Sequence, residues 1–217
     1  MIPFTVSSKH SRAKRRHASG FTLIEILVVM TIMMCLMAVS VGVANSWKAQ
    51  KLSTEARMLS SQFAEVALLA QKDNYPVEVR FYMMPDGEGL GSPTAMRAVQ
   101  VARLIGYDKE TLKPKYRMLT EVRFFEDDIM LVEQAGYTTL HAQEPISPAD
   151  EDDEIRGEKR PYRSFLFLPN GSTSLPRTPD AVFTLVKETE MSKDGQTLPP
   201  NYRSVILQPV TSKATMY

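Results

Sequence analysis

Histidine and cysteine are nearly missing from this chain of 217 residues. The histidines are His10, His17 and His141, and the first two fall within residues 1–20. The remainder holds one histidine and one cysteine, too few for a metal site of the His/Cys kind. The single cysteine, Cys35, excludes an intramolecular disulfide, so an exported domain must be held by its core. Cys35 lies in an apolar run and reads as apolar filler rather than a redox group. No G-x-S-x-G, no P-loop and no glycine-rich dinucleotide fingerprint occurs. The residues therefore point to no catalytic group, no cofactor and no metal. A Ser-His-Asp arrangement through His141 is the one formal alternative.

Charge is missing from Ile26 to Trp47, a run of 22 residues. At ~1.5 Å per residue that helix is about 33 Å long, enough to cross a hydrocarbon core of roughly 30 Å. A buried helix of a soluble protein would normally keep a polar face, which this run lacks. A secretory h-region of about 7–15 residues is shorter. A signal peptide cut near Ala44-Asn45-Ser46 and a plain uncleaved signal anchor are the competing readings. Met30, Met33, Met34 and Met37 read as flexible apolar packing rather than a soft-metal site. Glu25 sits just inside the apolar block. A charge well inside a bilayer costs about 2.5–3.5 kcal/mol on insertion scales, so this carboxylate needs a partner and its default reading is functional.

Acid is missing from residues 1–20, which hold Lys9, Arg12, Lys14, Arg15 and Arg16. By the positive-inside rule this leader stays in the cytoplasm and Lys48 onward lies outside the inner membrane. The whole chain carries +1. Without residues 1–20 it has 21 basic against 25 acidic residues, a net of −4. That balance argues against a nucleic-acid partner held by phosphate contacts.

Proline is missing from residues 21–75, so one continuous helix is expected there. From Lys48 to about Asn74 it turns amphipathic. Leu52, Ala56, Leu59, Phe63, Val66 and Ala70 follow steps of three and four and fall on one stripe. Lys51, Glu55, Arg57 and Gln62 are expected mostly to face elsewhere. Asn74-Tyr75-Pro76 ends the helix. After Pro76 the pattern is β. Val77 to Tyr82 alternates with period two. Ala98 to Leu104, Arg117 to Phe125, Ser164 to Leu168, Ala181 to Val186 and Ser204 to Leu207 are further strands. Turns are expected at Pro85 to Gly89 and Pro169 to Ser172. Short connections favour an antiparallel sheet with its inner face on the helical stripe. Residues 145–161 contain Asp150 to Glu154 and three prolines, and read as a mobile acidic loop. Calcium binding there is a weaker alternative, because the run lacks spaced Asp/Asn-Gly ligands. The fold class is α+β: a basic leader over 1–20, a membrane helix over 21–47, and a domain over 48–217 with a helix at 48–74 and a β-rich part at 77–217.

Between the leader and the apolar run stands Ser19-Gly20-Phe21-Thr22-Leu23-Ile24-Glu25. This stretch resembles the processing site of type IV prepilins and type II secretion pseudopilins. The resemblance implies a cut between Gly20 and Phe21 by a prepilin peptidase, N-methylation of Phe21, and a role for Glu25 in assembly. In a filament, Glu25 of one subunit would pair with the Phe21 amine of its neighbour, and low dielectric would make that pair directional. A long helix followed by strands is similar to minor pseudopilins of the H type, and Phe167 to Thr173 resembles their F-x-P-x-G-x-T signature. Pro76 to Tyr82, Arg97 to Gln100, Tyr162-Arg163 and Pro209-Val210-Thr211 resemble the pilin-like family called Verru_Chthon cassette protein D. Such families often end in Thr-Gly-Arg where this chain has Thr211-Ser212-Lys213.

The implied function is a structural subunit, a minor pseudopilin of a type II secretion pseudopilus, single-pass in the inner membrane with its domain in the periplasm. Its implied partners are the prepilin peptidase, other pilin-like subunits, an inner-membrane assembly platform and membrane lipid. The alternative is a membrane-anchored binding module, such as a minor type IV pilin or adhesin, with loops 84–96 and 141–161 as recognition surfaces.

Overall fold

The computed structural model describes residues 22–85, 95–126, 128–147, 154–155, 157–192 and 197–217, without the side chains of residues 39–49 and of Glu154. The chain divides into two units, residues 1–45 and 46–217. The helix α1 runs over Leu23–Asp73. Its end is set by Asn74, whose φ of 54° lies in the left-handed region that asparagine tolerates past a helix terminus. Pro76 cannot continue the helix.

Within the second unit, the stripe expected from spacing is the buried one. Leu52, Ala56, Leu59, Phe63, Val66 and Ala70 are each at most 3 % exposed. They lie under a sheet. Eleven strands follow α1 among the described residues: β1 Val77–Met84, β2 Ala95–Tyr107, β3 Pro114–Met118, β4 Arg123–Phe124, β5 Ile129–Leu131, β6 Glu154–Ile155, β7 Glu158–Lys159, β8 Tyr162–Phe167, β9 Ala181–Lys187, β10 Tyr202–Leu207 and β11 Ala214–Met216. Nine of them form one sheet in the order β11-β10-β9-β5-β2-β1-β8, with β3 and β4 also paired to β2. Every pairing is antiparallel. The register sets Val79 opposite both Val101 and Phe165, so three strands turn apolar side chains to one face.

Phe63 is the centre of that packing. Its ring meets those of Phe81, Phe165 and Phe183 edge-on, with centroids 6.4, 5.6 and 5.0 Å apart. Burying each such ring contributes about 1.5–3 kcal/mol, and each edge-to-face pair adds about 0.5–1.5 kcal/mol.

Three expectations are corrected. Arg117 to Phe125 is not one strand. Thr120 breaks the ladder: its Oγ1 accepts the Val101 amide and its carbonyl accepts Gln100 Nε2, so β3 and β4 pair with β2 separately. Residues 145–161 are not simply a loop. Ile146 bridges Tyr162, and β6 and β7 form a hairpin whose Ile155 is 5 % exposed and packs with Tyr82, Met84, Ala98 and Tyr162. Glu55 does not face away. It is buried, with Oε2 on Arg123 Nη1 at 2.6 Å and Oε1 accepting the Glu126 amide at 3.2 Å.

The far side of the sheet is covered too: Ile155 packs with Tyr82 and Met84, and the Tyr116 and Tyr162 rings lie over Arg80, so β1 is buried on both faces. Glu78, Arg80 and Tyr82 alternate away from the helix yet are nearly inaccessible. Glu78 Oε2 accepts Arg80 Nε at 2.7 Å, and its Oε1 accepts Ser164 Oγ at 2.5 Å. The Arg80 guanidinium lies 4.8 Å from the Tyr116 ring centre and 4.5 Å from that of Tyr162. A buried charge is tolerated because it is paired, hydrogen-bonded and stacked.

Candidate processing and assembly site

Thr22 precedes the first helical residue, and Glu25 is the third residue of the helix. The Thr22 amide and hydroxyl both donate to Glu25 Oε2, at 2.8 and 2.9 Å. The Glu25 amide donates back to Thr22 Oγ1 at 3.3 Å. This is a capping box: two amides with no intrahelical partner are satisfied reciprocally by side chains three residues apart. Glu25 Oε1 accepts nothing from the described residues. The carboxylate also lies at the positive end of the helix dipole. Reading Glu25 only as an assembly residue missed this local role, although the pattern Thr22-x-x-Glu25 ahead of an apolar run is its sequence sign.

Gly20 and Phe21 lie outside the described residues, as does the leader over 1–20. Every described side chain from Leu23 to Ala38 is exposed, and Ile24, Leu27, Met30, Met34 and Met37 are at least 60 % so. Among the described residues no helix is long and apolar enough to cross a membrane. The fully described part of the apolar run, Leu23 to Ala38, is 16 residues, or about 24 Å, and the side chains of residues 39–49 are outside it.

Residues 15–41 match the prokaryotic N-terminal methylation motif. The chain carries a prepilin-type N-terminus, the mark of type IV pilin-like proteins. The match takes in Gly20, Phe21, Thr22 and Glu25 together with the start of the apolar run. No curated protein and no solved structure matches the chain.

The remaining candidates are scattered. His141 sits exposed in a short 3-10 turn, Thr139–Ala142, with its Nδ1 donating to the Glu133 carbonyl. No serine hydroxyl bonds its ring among the described residues. The turn is pinned from below by Arg163, whose Nη1 donates to the Leu140 carbonyl at 3.2 Å and whose Nη2 lies 3.3 Å from Glu133 Oε1. Of the acidic run, Asp150 to Asp153 lie outside the described residues, as do residues 86–94 of the loop over 84–96. Among the described residues no group of three or more His, Cys, Asp or Glu is arranged to hold a metal ion.

The F-x-P-x-G-x-T stretch has a clear structural part. Phe167 is buried in the core, and Gly171 takes φ 82° in the turn after β8. The Thr173 amide donates to the Pro209 carbonyl at 2.7 Å, and Ser212 Oγ donates to the Gly171 carbonyl at 2.8 Å. Ser212 itself has φ 55°. The turn after β8 and the turn before β11 thus lock together.

Proposed function

We propose that this chain is a pilin-like structural subunit, a minor pseudopilin, processed between Gly20 and Phe21 by a prepilin peptidase and N-methylated at Phe21. Residues 21–47 hold it in the inner membrane, and the domain over 48–217 lies in the periplasm. Its N-terminal helix packs with those of other pilin-like subunits on an inner-membrane platform, in the pseudopilus of a type II secretion machine. Its work is mechanical and needs no catalytic group or cofactor. The observation that carries this reading is the match of residues 15–41 to the N-terminal methylation motif. Three features support it. The apolar surface from Leu23 to Ala38 suits lipid or other apolar helices. An amphipathic helix under an antiparallel sheet agrees with a pilin-like domain. Glu25 Oε1, left over by the Thr22 cap, is available to accept the Phe21 amine of a neighbouring subunit. The likeness of Phe167 to Thr173 to H-type pseudopilins supports a minor rather than a major subunit.

The test is expression of the full chain in cells with and without an active prepilin peptidase. The proposal expects a product shortened at its N-terminus only where the peptidase is active. One unshortened product in both strains overturns it.

A further inference from the structure

Where α1 stops, the sheet continues. Asp73 is the last residue of α1, and β2 runs on to Tyr107. In that part of the sheet the register sets Arg103 of β2 directly opposite Arg117 of β3. Directly opposed residues of an antiparallel pair share one face, with Cβ atoms roughly 4.5–5.5 Å apart, and like charges so placed repel. By the two-residue period of the strand, Arg103 is on the same face as Val99 and Val101, which pack in the core with the α1 stripe. Past the end of α1 that face carries two guanidiniums instead of an apolar core.

One of the two is compensated. Arg103 Nη1 lies 3.0 Å from Asp73 Oδ2, and its guanidinium lies 4.5 Å from the Tyr75 ring centre. These contacts fix its position and occupy one of its five N–H donors. Arg117 is exposed and makes no hydrogen bond or ion pair among the described residues. Arg117 also borders a larger cleft with Asp108 and Glu110, but Asp108 pairs with Lys115 at 2.8 Å and neither acid bonds Arg117. A separate cleft of about 270 Å³ is lined by Tyr75, Arg103, Ile105, Arg117 and Leu119. That lining holds two cations and no acid. With Asp73 counted against Arg103, one positive charge is left over. The rest of the wall, Tyr75, Ile105 and Leu119, is apolar and exposed.

We infer that this cleft binds a carboxylate carried on an apolar group. The planar fork of a guanidinium matches a carboxylate edge to edge, and a fork already held in place loses less freedom on binding. One negative charge balances the one positive charge left over, whereas a phosphate dianion would leave an excess. A carboxylate between Arg103 and Arg117 also relieves their repulsion. Tyr75, Ile105 and Leu119 receive the apolar body, as the mostly apolar walls of ligand sites do. A free apolar acid and the C-terminus of a peptide both present this chemistry. The site is separate from the N-terminal helix and does not rest on the assembly reading.

The test is calorimetric titration of the full chain in a nonionic detergent. The probes are phenylacetate for a free acid, N-acetylphenylalanine for a chain terminus, its uncharged amide, and phenyl phosphate. At least one of the two carboxylates is expected to bind saturably with a Kd of about 1 mM, the range open to so small a ligand. The tighter of the two names the source. The amide is expected not to bind. Arg117→Gln is expected to weaken the carboxylate about tenfold or more, the effect of one charged hydrogen-bonding group, without lowering the unfolding temperature. Arg117→Lys keeps the charge without the fork and is expected to recover only part of the loss. No saturable binding of either carboxylate up to about 10 mM, equal binding of the amide, tighter binding of phenyl phosphate, or an affinity unchanged by Arg117→Gln overturns the inference.

Discussion

The Thr22 amide donates to Glu25 Oε2 at 2.8 Å, and the Glu25 amide donates back to Thr22 Oγ1 at 3.3 Å. Glu25 therefore has two separable properties, an acceptor that caps the helix and a charge. Glutamine fills the same place in a capping box without the charge. With Glu25→Gln, processing after Gly20 is expected to proceed and assembly with other pilin-like subunits to fail as fully as with Glu25→Val. The measurement is the amount of each variant recovered in sheared or crosslinked filaments. Normal recovery of Glu25→Gln beside failure of Glu25→Val would assign assembly to the cap instead of the charge.

Glu55 ties α1 to the segment around β4 through Arg123 and the Glu126 amide. Glu55→Ala strands the Glu126 amide and removes one of the two acceptors of Arg123, which keeps Gln62 Oε1, an expected loss of about 1–3 kcal/mol. Glu55→Gln keeps an acceptor and is expected to lose less. Urea unfolding of residues 46–217 checks this, with the midpoint falling and the slope unchanged.

Burial foremost, and the Glu78 carboxylate beside it, push the Tyr116 hydroxyl up to about 12, against the opposing pull of Arg80. In the unfolded chain a tyrosine titrates near ~10. The folded state holds this proton more tightly, so its contribution to stability is complete below about pH 10 and is lost as pH rises through about 12. Tyr116→Phe is expected to remove that part of the alkaline decline. Phenolate absorbance followed against pH, with and without the substitution, measures it.

Gly171 and Ser212 hold two turns together. A Cβ at Gly171 would lie 3.4 Å from Gln71 Nε2, on a backbone with φ 82°. Gly171→Ala is expected to cost about 1–2 kcal/mol through the left-handed conformation alone. Ser212→Ala keeps that strain and loses the bond to the Gly171 carbonyl, an expected cost of about 1–3 kcal/mol at a buried site. Thermal unfolding of both variants is the check.

How much of this was legible in the sequence depends on how local each signal is. The stripe from Leu52 to Ala70 needed only helical spacing, and all six residues are buried as expected. Asn74 and Pro76 stop the helix by their own backbone preferences. Strands β1, β8, β9 and β10 were visible as runs of alternating or continuous apolar residues. The misses depend on partners distant in sequence. Glu55 looks like a surface residue until Arg123, 68 positions away, is brought to it. Glu78 and Arg80 read as the wet side of a two-faced strand, because nothing local shows that Tyr116 and Tyr162 close over that face. Thr120 looks like an ordinary strand residue, yet its side chain takes the Val101 amide and divides β3 from β4. At the N-terminus the motif itself was plain, while the cap between Thr22 and Glu25 was hidden behind the assembly role the motif suggests.

The central claim is tested most directly by the mass of the N-terminal peptide of the protein isolated from membranes. The account predicts a peptide that begins at Phe21 and carries one N-methyl group. A peptide that begins at Met1 or Ile2, or one that begins near Trp47, would contradict it.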